Sequence, residues 1–157
     1  KIPLSRGLFT IVDDEDFEEL NRYKWCASTC DGIEYAQRNI QRPDGGWTSL
    51  RMHRLIARTP TGKQTDHVNG DSLDNRRENL RACSGAENSR NMRNTAHSSR
   101  FKGVCWCEDR KKWAAKITVN MRTILIGRHI SETAAARAYD AAAKKYFGEF
   151  ARLNFQN

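Results

Sequence analysis

TDHVNGDSLDNRRENLRACSGAENSRN, residues 65–91, is the stretch from which the reading of this chain starts. A short strand-like run ends in Asp66-His67, and Asn69-Gly70 turns the chain. Residues 71–78 form a polar loop, and residues 79–83 read as a second strand. Ser84 is a good N-cap for a helix over about 85–92. The order is strand, loop, strand, helix. Hydrolysis of a phosphodiester needs a base for water, a hard cation and oxygen ligands for that cation. His67 has the side chain whose ordinary pKa suits a base near neutrality. Asp66 offers a carboxylate and Asn88 an amide oxygen, donors suited to one magnesium or manganese ion. Asn79, twelve residues beyond His67 and nine before Asn88, is placed to bond across the loop and hold its shape. Arg76 and Arg77 lie in the loop, and Arg90 and Arg93 flank the helix; all four are candidates for contact with a polyanion.

Upstream, residues 8–12 form a short β-like run, and DDEDFEELNRY predicts a helix whose acidic first turn suits the dipole. Residues 24–28 and 34–40 read as strands joined at Asp31-Gly32. PDGG at 43–46 turns the chain into a strand over 47–52. This small antiparallel sheet carries Arg38, Arg42 and Arg51, a basic surface fit for a DNA groove or a plain scaffold for the neighbouring nuclease-like segment. MHRLIA at 52–57 begins a short helix. His53 reads as a packing or capping histidine, with support of the site as the alternative.

Downstream, the polar segment 95–100, which contains His97, separates residues 1–94 from residues 101–157. Residues 101–107 predict a strand and EDRKK a basic turn. Residues 113–119 alternate, with Trp113, Ala115, Ile117 and Val119 on one face. Asn120-Met121 turns into a third strand over 122–130, and Ser131 and Gly148 bracket an alanine-rich helix. Small side chains let that helix lie close on one sheet face and leave the other uncovered, a form that enters a DNA major groove. The predicted class is α+β.

The charge agrees. The net charge is +8, but residues 1–50 hold 6 Lys/Arg against 9 Asp/Glu and residues 51–157 hold 21 against 10. A polyanion met mainly by the later two-thirds is the expectation, with Arg110, Lys111, Lys112 and Arg122 on its phosphates. No apolar run reaches membrane-spanning length, and no membrane partner is expected. The amino end has no signal-peptide core, and it starts at Lys1 rather than Met, so a trimmed start is expected. Five cysteines without zinc spacing read as reduced thiols in a cytoplasmic protein.

The DHVNG start, the spacings of 12 and 9, the terminal Asn88, MHRLI upstream and DNRRENLR within make residues 52–94 resemble the HNH endonucleases. The likeness is to the phage and intron homing branch, with its ββα-metal (His-Me finger) core. VDDEDFEELNRYKW resembles the amino-terminal part of the same proteins. The resemblance implies that His67 activates water, that Asp66 and Asn88 ligate one divalent ion, and that Asn79 orients the histidine loop. FKGV, KWAAKI, Gly127, AARAYDAAA and LNF make residues 101–155 similar to the plant APETALA-two / ethylene-response-factor DNA-binding domain. That likeness implies a DNA-facing sheet surface of Lys102, Cys105, Cys107, Lys116, Thr118, Thr123 and Leu125, with Tyr139 near the backbone. Cys105, Cys107 and Thr123 stand where plant domains have arginines, so the plant target sequence does not transfer. The combined expectation is a monomeric homing-type endonuclease on double-stranded DNA in a phage- or bacteria-type host, without a small-molecule cofactor. The alternatives are a DNA-binding regulator with an inactive HNH part and a nuclease acting on RNA.

Overall fold

The computed structural model describes residues 1–92 and 98–155. The chain divides into two compact units, Lys1–Asn88 and Ser89–Asn157.

The first unit is built from short antiparallel pieces. Strand β1 (Ile2–Pro3) pairs with β2 (Phe9–Thr10), and helix α1 (Asp14–Asn21) follows. Strands β3 (Cys26–Cys30), β4 (Ile33–Gln41) and β5 (Trp47–Arg51) form a three-stranded meander. Its first turn is Asp31-Gly32 with φ of 51° and 76°, the left-handed pair that a two-residue hairpin needs. Helix α2 (Met52–Ile56) leads to the pair β6 (Gln64–His67) and β7 (Leu80–Cys83), and then to α3 (Gly85–Asn91). The expected run over 8–12 is shorter than its pattern suggests. A left-handed Arg6-Gly7 turn folds the first residues back, so only Phe9–Thr10 pairs, and Ile11 makes a single parallel bridge to Asp74. Ile2, Leu4, Val12, Leu20, Trp25, Ala36, Met52 and Ile56 make the core beneath.

The second unit has sheet order β10-β9-β8, from β8 (Val104–Cys107), β9 (Lys112–Val119) and β10 (Arg122–His129), with α4 (Glu132–Phe147) packed on it. Strand β8 begins later than the sequence pattern suggests, because Gly103 at φ +73° turns the chain before Val104. The expected basic turn is a 3-10 turn, Glu108–Arg110, closed by left-handed Lys111. Ala115, Ala135 and Ala136 are fully buried with Val104, and Ile117 packs with Tyr139, Ala143 and Phe147. Ser131 caps α4 by accepting from the Ala134 amide at 3.1 Å. Among the described residues no helix is long and apolar enough to cross a membrane.

AYD and LNF turn out to be one structural device. Asp140 accepts from the Asn154 amide at 2.8 Å, from Asn154 Nδ2 at 3.0 Å and from the Phe155 amide at 3.0 Å. Asn154 in turn brackets Lys102, accepting from its amide at 2.7 Å and donating to its carbonyl at 3.1 Å. Hydrogen bonds to a charged group contribute about 1.5–3 kcal/mol. Asp140→Ala is therefore expected to cost about 2 kcal/mol, which for a domain of this size lowers Tm by roughly 10 °C in a thermal melt.

Candidate active site

Alternation along β6 sends Gln64 and Asp66 to one face and Thr65 and His67 to the other. The partner strand completes both faces, with Asp66 opposite Arg81 and His67 opposite Leu80.

On the first face Asp66 is buried, and its Oδ2 accepts from Arg81 Nε at 2.9 Å and Nη2 at 2.7 Å. Asn88 donates from Nδ2 to Gln64 Oε1 at 2.7 Å, and its Oδ1 is the atom of a kind that ligates a hard cation. Helix α3 brings Asn88 there because Ser84 and Glu87 form a capping box. Glu87 accepts from the Ser84 amide at 2.7 Å, and Ser84 Oγ accepts from the Glu87 amide at 3.3 Å.

On the second face His67 is 7% exposed. Its Nε2 lies 3.0 Å from Asn75 Oδ1. Because Asn75 uses Nδ2 to donate to Thr10 Oγ1 at 2.7 Å, Oδ1 is the acceptor and His67 is the Nε2–H tautomer. The lone pair of the neutral ring is then on Nδ1. His53 stands edge-on to His67 with centroids 5.1 Å apart, and Tyr35 lies 6.4 Å from His67. Burial holds the His67 pKa below its ordinary value, against the opposing pull of Asn75 and of Asp66, Asp71 and Asp74. Burial, with His67, Arg51 and Arg54 nearby, pushes His53 down to about 3, so His53 is a neutral packing group.

The loop that carries these residues is closed by Asn79. It donates from Nδ2 to the Asp74 carbonyl at 2.7 Å and accepts at Oδ1 from the Asn69 amide at 2.9 Å. Asn75, which the sequence pattern alone does not single out, is fully buried and is the histidine's partner. The signal lies in the loop itself: DNRREN carries an Asn whose role a solvated loop does not explain. Thr10 is the other such residue, tied to the loop through Asn75 and the Leu73 carbonyl.

Adjacent strand positions face opposite ways, so the His67 imidazole lies on one face and the Asp66 carboxylate, with the Asn88 amide, on the other. In-line displacement at phosphorus needs its attacking and leaving oxygens on opposite sides, so a base and a cation on two faces of one strand end suit that chemistry. Among the described residues no group of three His, Cys, Asp or Glu side chains converges as a metal cage. One carboxylate and one amide oxygen are nevertheless hard donors of the kind magnesium accepts while keeping waters and substrate phosphates.

The basic candidates divide. Arg38 stacks 3.6 Å from the Tyr23 ring centroid, and Arg51 lies 4.7 Å over Tyr35. Arg76 pairs with Asp74 at 2.8 Å and Arg77 with Asp16 at 2.6 Å, so both guanidiniums brace the loop. Arg90 stacks over Phe147 at 4.9 Å, and Lys111 pairs with Glu108. Lys102, expected on the DNA face, instead donates to the Arg90 and Met92 carbonyls, and burial lowers its pKa to about 8. Tyr139, expected near the DNA backbone, is only 3% exposed and belongs to the core, where its ring covers Gly103. Arg110, Lys112, Lys116, Thr118 and Arg122 are exposed; Lys116 and Thr118 share the uncovered sheet face with Thr123 and Leu125. Arg93, His97 and the first half of the 95–100 connector lie outside the described residues.

Residues 51–90 match the family model described as HNH endonuclease. The chain is 26% identical over 155 residues to an uncharacterised HNH endonuclease of Acanthamoeba polyphaga mimivirus, covering 95% of this chain and 76% of that protein. It is 35% identical over 60 residues to protein 3.8 of Escherichia phage T7, covering 38% of this chain and 50% of that protein. An AP2-like ethylene-responsive transcription factor of Arabidopsis thaliana is 40% identical over 58 residues, 37% of this chain and 18% of that protein. The chain thus spans three-quarters of the viral relative and half or less of the other two. The chain carries an HNH endonuclease domain over residues 51–90, and a hydrolase of phosphodiester bonds is the activity this domain supports.

Proposed function

We propose that the protein is a metal-dependent, homing-type endonuclease that cuts double-stranded DNA as a monomer in the cytoplasm of a phage- or virus-infected host. Residues 1–94 are the nuclease part, with a ββα-metal core, and residues 101–157 are an APETALA-two-like DNA-binding part. The observation that carries the reading is the pairing of an Asn75-anchored His67 with Asp66 at adjacent positions of one strand, with Asn88 on the Asp66 face.

His67 is the general base. Asn75 holds its Nε2–H, so Nδ1 takes the proton of the attacking water. Burial lowers the ring's pKa, which favours the unprotonated form that a base needs. Asn79 keeps the loop closed behind it. Asp66 and Asn88 would hold one magnesium or manganese ion, which supplies charge stabilisation at the phosphate and at the leaving 3′ oxygen. Lys112, Lys116 and Thr118 meet DNA along the uncovered sheet face, with Arg110 and Arg122 at the turns beside it, and Arg51 meets it beside the nuclease site. Two DNA-contacting parts on one chain raise effective concentration and lengthen the recognised site.

Supercoiled DNA incubated with the protein and magnesium should be nicked, and chelation of the ion should stop the reaction completely. Gel electrophoresis measures both. Cleavage that persists at full rate in excess chelator would remove the metal from the proposal, and cleavage of RNA in preference to DNA of the same sequence would change the substrate.

A further inference from the structure

A cation already meets Asp66. Arg81 stands directly opposite it across the β6–β7 pair and gives both Nε and Nη2 to a single carboxylate oxygen, at 2.9 and 2.7 Å. The two side chains are 5% and 15% exposed, so this is a nearly buried ion pair. A carboxylate taken that far from water needs an opposite charge beside it, and Arg81 provides one. The same carboxylate is the charged donor proposed as a metal ligand. A divalent ion and a guanidinium on one carboxylate repel each other strongly where the dielectric is low. Asp66 is therefore committed to Arg81 until the guanidinium is offered another anion.

DNA brings that anion. The arginine fork fits phosphate as well as carboxylate, with parallel N–H donors in one plane. Arg81 is less buried than Asp66, so the exchange needs only the outer partner to turn. We propose that Arg81 is a positioning residue that exchanges the Asp66 carboxylate for a DNA phosphate, so that the divalent ion is bound firmly at Asp66 only when DNA is present. The inference rests on the proposed role of Asp66 as a metal ligand. It makes Arg81 a guard against metal loading, and hence against hydrolysis, away from DNA.

Manganese is the probe, and its free aqua ion is counted by electron paramagnetic resonance in the presence of the full chain. The parent is expected to bind manganese at least about tenfold more tightly with a random-sequence duplex at low salt than without it, after subtraction of the duplex alone. Arg81→Gln, which removes the cation, is expected to bind manganese without DNA at least about tenfold more tightly than the parent, and Arg81→Lys, which keeps a cation but loses one charge-assisted hydrogen bond of the fork, to show a smaller gain. Asp66→Asn should abolish that gain when combined with either. Arg81→Lys keeps a charge beside Asp66, so it serves if the glutamine variant does not fold. A purely structural Arg81 would lower the melting temperature of both variants and leave manganese affinity at the parent value, and that result overturns the inference. A parent that cuts DNA while its Arg81 variants bind manganese no better defeats this inference alone. A parent that never cuts DNA with any divalent ion defeats the nuclease reading itself.

Discussion

His67→Ala is expected to cut the nicking rate by about 10²–10⁴-fold while duplex affinity stays within about twofold, the range that removal of a positioned general base produces. The size of the loss comes from where the imidazole sits. Asn75 Oδ1 lies 3.0 Å from Nε2 and Asn75 is itself fixed to Thr10 at 2.7 Å, so the ring has one orientation and one tautomer. Water has no comparable base within the cluster, since His53 is held neutral with its pKa near 3 and Tyr35 has its pKa raised by burial. Truncating a buried ring leaves a cavity, so a folding defect has to be separated from a chemical one. Melting the variant beside the parent gives the first control. Adding free imidazole gives the second: a small base entering the vacated space should restore part of the rate in His67→Ala and none in Asp66→Asn. Equal rates for parent and His67→Ala, with both folded, would remove His67 from the chemistry and assign the base to another group.

Legibility in the sequence divides along physical lines. Residues 113–119 read as alternating between core and solvent, and β9 follows that alternation from Ala115 to Thr118 because period-two burial is local information, while Ala114, expected on the open face, is buried. Ser84 with Glu87, Ser131 and the Asp31-Gly32 turn are equally local, since a cap or a two-residue hairpin is satisfied within a few residues. Asn79 is readable as a loop brace because its partners lie within ten residues. The arginines are not readable. Arg77 finds Asp16 across 61 residues, and Asn75 finds Thr10 across 65. A long cationic side chain in a basic segment suggests a phosphate contact, while the acidic helix α1 looks like a separate negative block. Folding brings the two together, so part of the charge asymmetry that points to DNA is neutralised inside the first unit. The opposite facing of Asp66 and His67 is implicit in their adjacency on a strand; grouping residues by their chemistry alone hides it, because the pleat separates what the motif joins.

Gly103→Ala is expected to destabilise the second unit by about 3 kcal/mol or more, combining overpacking with left-handed strain. Gly103 has φ +73°, and a methyl group built there would stand 2.0 and 2.2 Å from Tyr139 Cδ2 and Cε2 and 2.7 Å from the Lys116 carbonyl oxygen. The backbone cannot easily retreat, because the Gly103 carbonyl accepts the Lys116 amide at 2.7 Å and so ties this turn to β9. Nor is the ring free to swing out, since Tyr139 packs with Ile117, Ala143 and Phe147. Gly62→Ala is the matched comparison. Gly62 has φ +82° but nothing within 4 Å of the added carbon, so it isolates the backbone contribution, about 1 kcal/mol. Urea unfolding should place the Gly103 variant well below the Gly62 variant. Tyr139→Ala should cost less in the Gly103→Ala background than in the parent, because it removes the clashing ring along with its packing. A Gly103→Ala protein within about 0.5 kcal/mol of the parent would mean that α4 does not lie on this turn as closely as the alanine-rich helix allows. The same close approach buries the Tyr139 ring and leaves the opposite sheet face uncovered.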